Sequence, residues 1–315
     1  MNKLYLDLYN KIDFKKIIDH PNILIAAAFW EEDRYLAARM CYKYMRAIDD
    51  LIDCHKAAHS VISESEREKF HKSVLSWIDM VHNPASGSDN ELIDTIKRFH
   101  IPLWPLETFA RSMIYDIDHN GFATIDDFIE YSQGASVSPA SVFVHLNGLT
   151  KMGNAYQQPR FDVRAAATPC ALFSYIVHII RDFQKDQQNH LNYFADDVMM
   201  QNGLTAKDLE KIAHGAAVSN GFRNMIRVYY KLADRYRQQT FEVIEKICPL
   251  LEPRYRLSLM IIFSLYLMVF ERINIEKGKF TTEELNPTAD EIKERVYKTI
   301  IEFENQFQTI KSSSL

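Results

Sequence analysis

Apolar residues recur every three or four positions along almost the entire chain, the spacing that places them on one face of a helix. The pattern predicts helices near 3–18, 22–57, 64–82, 89–99, 104–119, 125–150, 160–188, 205–213, 218–247, 253–277 and 288–310. No stretch alternates with period two, so the expected fold class is all-α, a single helical domain over 1–315. Ser63 with Glu66, and Thr124 with Asp127, have the spacing of N-caps with an acidic residue three positions on. Turn residues gather in one segment, His82 to Asn90, and the tail "KSSSL" is expected to fray. The longest apolar run, Leu257 to Phe270, is shorter than a bilayer span and reads as a fully buried helix.

Composition adds few constraints. The 315 residues are 47% hydrophobic and 25% charged, ordinary for a globular protein, and only 9 glycines and 10 prolines interrupt the helix formers. A net charge of -5 without a Lys/Arg block argues against a nucleic-acid partner. Cys41, Cys54, Cys170 and Cys248 are widely spaced, as for reduced thiols in a cytoplasmic compartment. No secretory signal is visible at the start of the chain and no membrane helix at its end, which favours a soluble, bacterial-style protein.

Two short runs carry candidate chemistry. "YKYMRAIDDLID", Tyr42 to Asp53, and "IIRDFQKD", Ile179 to Asp186, each place two Asp four residues apart, Asp49 with Asp53 and Asp182 with Asp186. On a helix such pairs share a face and repel by a few tenths of a kcal/mol. Each run lies in a mostly apolar helix and carries an Arg, Arg46 and Arg181. A single acidic pair is commonly a solvated patch. Two such pairs suit Mg2+, a hard cation that takes carboxylate oxygens while keeping waters and substrate phosphates. An apolar, aromatic-lined cavity behind them would suit a carbocation.

The order of motifs resembles the squalene/phytoene synthase family, the head-to-head prenyl-diphosphate synthases, from about residue 20 to 280. The two runs above resemble that family's first and second aspartate motifs. "RSMIYDIDHNGFATIDDFIEYSQGAS" resembles its "GMxxDL…TFEDLYEYCxxVAG" region, "DDVMMQNGLTAKDL" its "DELxxFGVSxEDL", and "LYLMVFERINIEKGKF" its "LYxxILDRIExxGYxVF". The resemblance implies a class I isoprenoid synthase fold with a central apolar cavity and an additional C-terminal helix at 288–310. It implies Mg2+-dependent loss of diphosphate, with Mn2+ as an alternative metal. A second prenyl diphosphate would capture the allylic cation, giving a cyclopropyl intermediate and then a linear product. By the same resemblance, Asp49, Asp53, Asp182 and Asp186 bind metal, with Asp50 assisting. Arg46 and Arg181 hold diphosphate oxygens, and Tyr42, Tyr131, Tyr193 and Tyr266 fall at cavity or diphosphate positions. Peripheral contact with the inner face of a membrane would serve release of an apolar product.

The chain departs from that pattern at several positions. His178 stands where the family usually has Asn, Tyr175 where Gln is common and Leu191 where Arg is common. The early Ser-Phe stretch reads "HPNI", His20 to Ile23, and the glycine-rich bend reads "GASVSPASV", Gly134 to Val142. These changes fall near the second-substrate side and leave two rivals open: a lyase acting on one prenyl diphosphate, and a non-catalytic isoprenoid-diphosphate binder. Donor length, use of NADPH and oligomeric state stay open. "DIDHNGFATIDD", Asp116 to Asp127, has EF-hand spacing, but position 8 is Ala123 and position 12 is Asp. It is expected to be a connection between helices, with Thr124 capping the second.

Overall fold

The structure is a computed structural model that describes residues 3–16, 22–59, 62–84 and 90–313, with side chains described as far as 305. Sixteen α-helices account for most of it: α1 (Lys3–Lys11), α2 (Asn22–Ala27), α3 (Glu32–Ala58), α4 (Glu64–His82), α5 (Glu91–Arg98), α6 (Trp104–Asp118), α7 (Ile125–Ser132), α8 (Ser138–Gly148), α9 (Val163–Arg181), α10 (Phe183–Gln188), α11 (Asp196–Gln201), α12 (Ala206–Ala213), α13 (Asn220–Ile247), α14 (Pro253–Arg272), α15 (Thr282–Leu285) and α16 (Ala289–Ser313). The fold is all-α apart from one short hairpin. Residues 17–21 and 85–89 lie outside the described residues, and with them part of the "HPNI" segment and of the expected loop.

Three long helices expected from periodicity are divided. The one expected over 22–57 breaks at Ala28–Trp30, where Phe29 and Trp30 turn inward and are buried. Trp30 Nε1 donates to Ser258 Oγ at 2.8 Å, and that hydroxyl donates to the Ala26 carbonyl at 2.7 Å, fixing the turn to α14. The one expected over 125–150 contains a π-helical turn, Gln133–Val137, between α7 and α8. A Cβ at Gly134 would overlap Ser112 Oγ and the Thr108 carbonyl oxygen of α6, so glycine permits that close approach. The one expected over 160–188 starts at Val163, because Asp162 caps it by accepting from Ala165 N, and changes direction at Asp182.

Smaller corrections have local causes. The first helix stops at Lys11 before a short 3₁₀ turn at Phe14–Lys16. The helix expected over 253–277 stops at Arg272, and α11 and α15 are too short to show a period. The missed hairpin pairs β1 (Thr150–Met152) with β2 (Ala155–Gln157), Lys151 facing Tyr156. Its strands are too short to show alternation, and Gly153 turns the chain at φ 62°. Both expected capping boxes form, at Ser63 and at Thr124. The C-terminal helix runs on through Ser313.

The apolar core comes in two main clusters. One joins α1–α6, α8 and α16, the other joins α7 and α9–α13, and both draw on α9 and α14. α9 and α14, 19 and 20 residues long, are each long and apolar enough to cross a membrane by length and composition. The helix around Leu257–Phe270 is thus longer than the apolar run itself. Both helices lie against other elements of the bundle, α9 against α8, α13 and α14, and α14 against α2 and α16. α9 carries Ala166, Ala167, Cys170, Ala171 and Ser174 on one side, and these small side chains leave a cavity of about 530 Å³ between the two clusters.

Candidate active site

Five stretches of chain bring polar groups to this cavity. α3 supplies Tyr42, Arg46, Asp49, Asp50 and Asp53, and the α9–α10 junction supplies His178, Asp182 and Asp186. α7 supplies Tyr131, the loop after α10 supplies Tyr193, and α14 closes one wall with Tyr266. The expected site residues therefore converge on one volume, with one exception. Arg181 does not line the cavity; it is buried behind Asp182, donating from Nε at 2.7 Å and from Nη2 at 2.8 Å.

The first pair sits on one unbroken helix. Arg46 Nη1 donates to Asp49 Oδ2 at 2.5 Å, and its Nη2 reaches Asp50. Burial raises the proton affinity of Asp49, and Arg46 opposes that rise. Asp53 has no side-chain hydrogen bond or salt bridge among the described residues. Burial, together with the charges of Asp49 and Asp116, pushes its proton affinity well above the ordinary carboxylate range.

The second pair straddles the helix junction rather than lying within one helix. The backbone N–H of Asp182 still donates to the His178 carbonyl at 2.9 Å, and that of Asp186 to the Asp182 carbonyl at 2.8 Å, so the i, i+4 relation survives the bend. Burial acts to raise the proton affinity of Asp182, but His178 and Arg181 overcome it and hold the carboxyl far below its usual range. Asp186 has no such partners; burial and the neighbouring Asp182 charge push it up to about 7.

Asp116 does not line the cavity but holds Tyr131, which does, and the sequence pattern places it at the start of a connection between helices. It lies, mostly buried, in the last turn of α6, where Tyr131 donates to its Oδ2 at 2.5 Å and Lys56 Nζ to its Oδ1 at 3.3 Å. Lys56 also donates to the His119 carbonyl at 3.0 Å. The available signal was an aspartate in the last turn of a helix expected over 104–119, "RSMIYD", but the calcium-like spacing drew attention to the loop that follows. Asp118 and Asp127 of the loop are bound to protein donors. Asp118 lies 3.0 Å from His71 Nε2, and Asp127 accepts from the Thr124 N–H at 2.8 Å. Gly121, at φ 141°, lets the chain pass Tyr115, whose hydroxyl donates to its carbonyl at 3.0 Å.

The residues that depart from the family pattern also lie here. Tyr175 stacks on Phe128 at 5.6 Å between centroids and meets Tyr193 edge-on at 6.3 Å, thickening the wall beside the carboxylates. Leu191 lines the cavity, and His178 contacts Asp182.

Among the described residues no three His, Cys, Asp or Glu side chains form a ready-made metal cage. The donor set nevertheless fits a hard divalent cation: oxygen ligands only, in pairs, with Asp53 and Asp186 unpaired and short of positive charge. Such a cation needs its remaining ligands from water and substrate phosphate.

Comparison with known proteins follows the same lines. The chain is 23% identical over 208 residues to phytoene synthase 1, chloroplastic, of Zea mays, a match covering 66% of this chain and 48% of that protein. It is 22% identical over 207 residues to phytoene synthase, chloroplastic, of Narcissus pseudonarcissus, covering 66% and 46%. It thus spans about half the length of the curated relatives it matches. Among solved structures, a dehydrosqualene synthase in complex with ligand superposes with a TM-score of 0.66 at 14% identity, covering 97% of this chain and 98% of that one. Squalene synthase HpnC from Alicyclobacillus acidocaldarius gives 0.52 at 12% identity, covering 78% and 96%. These structural likenesses establish the isoprenoid-synthase type of fold. A family model described as squalene/phytoene synthase matches residues 21–290, and the chain belongs to that family.

Proposed function

We propose that this protein is a Mg2+-dependent prenyltransferase that joins two prenyl diphosphates head-to-head, releasing diphosphate. One observation carries the reading: both carboxylate pairs open onto a single apolar cavity with aromatic walls. A bound divalent cation would supply electrostatic stabilisation of the departing diphosphate. The carboxylates of Asp49, Asp53, Asp182 and Asp186 would provide its oxygen ligands, and Mn2+ would suit the same set. Arg46, half-exposed beside Asp49, adds a donor for diphosphate oxygens. The alanine-lined wall of α9 and the rings of Tyr42, Tyr131, Tyr175 and Tyr266 exclude water from the prenyl chain and face it with π-electron density. The volume of about 530 Å³ falls in the ordinary range for ligand cavities. We place the reaction in the cytoplasm, with membrane contact limited to product release.

Incubation with farnesyl or geranylgeranyl diphosphate and Mg2+, with and without NADPH, tests the reading. Released diphosphate and a lipid of doubled carbon count, both lost in Asp49→Ala, are expected. Diphosphate release with an undoubled product would replace the transferase by a lyase. Substrate binding without release would leave a non-catalytic binder.

A further inference from the structure

α3 and α4 run antiparallel and meet through side chains at two places. At one, Trp77 stacks on Tyr44 with ring centroids 4.6 Å apart, and its Nε1 donates to the Tyr44 carbonyl at 2.9 Å. Three turns further along α3 and three turns back along α4, the same register brings His55 opposite Glu66. Here no hydrogen bond closes the gap. His55 Nε2 is buried without a hydrogen-bond partner among the described residues, and Glu66 Oε1 stands 3.7 Å away. A buried ring nitrogen left in this way costs free energy, so its missing partner calls for an account.

The groups around that nitrogen are all metal-ligating types. His59 follows His55 by one turn on the same face of α3, with ring centroids 4.7 Å apart and 22° between the planes. Glu66 is fixed through its other oxygen: Oε2 accepts from the Ser63 N–H at 2.9 Å and from the Ser63 hydroxyl, which leaves Oε1 for the histidine side. The Glu66 carboxylate lies within the electrostatic reach of both imidazoles. Phe70, one turn further along α4, meets the His55 ring edge-on at 5.0 Å and holds it in place. Two ligands of a tetrahedral metal, each at about 2.0–2.1 Å from it, stand about 3.3 Å apart, close to the 3.7 Å between His55 Nε2 and Glu66 Oε1. The two rings lie face to face, so a cage needs one movement, rotation of the His59 side chain. His59 is exposed, and exposed side chains change rotamer readily.

We propose that His55, His59 and Glu66 bind a borderline divalent cation, Zn2+ foremost, with water completing its shell. Two imidazole nitrogens and one carboxylate suit zinc, whereas the cavity offers carboxylate oxygens and suits Mg2+. The bound ion fills the gap between His55 and Glu66 and ties the end of α3 to the first turn of α4. His55 lies two residues beyond Asp53, so the clasp steadies the helix that carries the first carboxylate pair. It does so whether or not the cavity transfers prenyl groups.

The experiment titrates Zn2+ into the full chain by calorimetry, in excess Mg2+ to occupy the cavity carboxylates, and repeats the titration with Co2+ to read its visible absorption. The expected result is one Zn2+ per chain, with bound Co2+ showing the strong band of a four- or five-coordinate ion rather than the faint one of octahedral oxygen ligation. His59→Gln, at the exposed position, should weaken Zn2+ binding by at least about tenfold, since even the outer partners of metal ligands are worth about 10–100-fold. His55→Gln and Glu66→Gln should do the same, and the glutamine amide of the latter still accepts from the Ser63 N–H. Asp49→Asn and Asp186→Asn should leave Zn2+ affinity unchanged. Thermal unfolding in EDTA checks that every variant folds, and added Zn2+ should raise the midpoint of the parent but not that of His59→Gln. A parent protein that binds no Zn2+ would overturn the site. So would a loss confined to His59→Gln, the mark of an adventitious ion on one exposed histidine, or a loss shared by Asp49→Asn and Asp186→Asn, the mark of the cavity carboxylates.

Discussion

Tyr131 donates its hydroxyl hydrogen to Asp116 across 2.5 Å, joining α7 to the end of α6 beneath the first carboxylate pair. Lys56 neutralises Asp116 from the other side, so a cavity tyrosine is positioned by a buried ion pair. Asp116→Ala would leave Lys56, itself buried, without its carboxylate, and unfolding should become easier by about 3–5 kcal/mol. Tyr131→Phe keeps the ring, so its stability should change by only about 1 kcal/mol, while diphosphate release slows roughly 100-fold. Urea titration paired with a diphosphate-release assay separates the two effects. Equal losses of stability and rate in both variants would contradict this division.

Asp186 gives the metal-free protein a distinctive response to pH. Its folded-state pKa of about 7 lies above the unfolded value of about 3.9. Between those values the folded chain holds a proton that the unfolded chain has released. Raising the pH through this window therefore removes stability. Asp186→Asn mimics the protonated acid and should match the parent near pH 4 in EDTA. By pH 8 it should be more stable by on the order of 2 kcal/mol, less than the full shift implies because the side chain retains some solvent contact. Urea midpoints at the two pH values decide it, and a pH-independent difference would refute the linkage.

The small residues of α9 set the cavity's capacity. Ala167→Phe would fill part of the space while leaving the carboxylates in place. The change should lower kcat/KM for the longest accepted prenyl diphosphate by about tenfold or more, and less for a shorter one, because each excluded methylene is worth roughly 1–3 kcal/mol. Competition between donors of different length would expose the shift. Equal losses for both lengths would mean the prenyl chain lies elsewhere.

Arg34 is fully buried without a carboxylate partner for its guanidinium among the described residues. Its Nη1 donates to the Leu146 carbonyl at 3.1 Å, and its guanidinium lies 4.2 Å from the Tyr255 ring centre and 5.0 Å from that of Tyr156. Its Nε has no acceptor among the described residues. Arg34→Ala should cost about 3 kcal/mol or more, through the lost packing and the void it leaves. Arg34→Met keeps most of the volume and removes a buried charge, so it should cost much less. Thermal and urea unfolding of the pair would show whether volume or charge matters more.

The helical architecture was readable because nearly every turn carries an apolar residue on its inner face. The breaks were not, because long-range contacts create them. Nothing near Phe29 and Trp30 announces that Ser258, more than two hundred residues later, will bind the indole. The aspartate pairs were legible from local spacing, and the tyrosines only through likeness to a family. Periodicity could not show that Asp182 and Asp186 differ, since that depends on which donors the bend at the helix junction brings to each oxygen. Asp116 was misassigned because loop-like spacing around it was local while its partners, Lys56 and Tyr131, were not.

The contact at Gly134 makes the two walls of the cavity unequal as targets for redesign. On the α9 side, alanines tolerate bulk by trading empty space for side chain. Behind the opposite wall, any side chain at 134 meets α6 at Ser112 and at the Thr108 carbonyl, and α6 carries Asp116 in its last turn. A protein engineer could tune product size from one wall alone, since a change at the other would displace Asp116 before it altered the space for substrate.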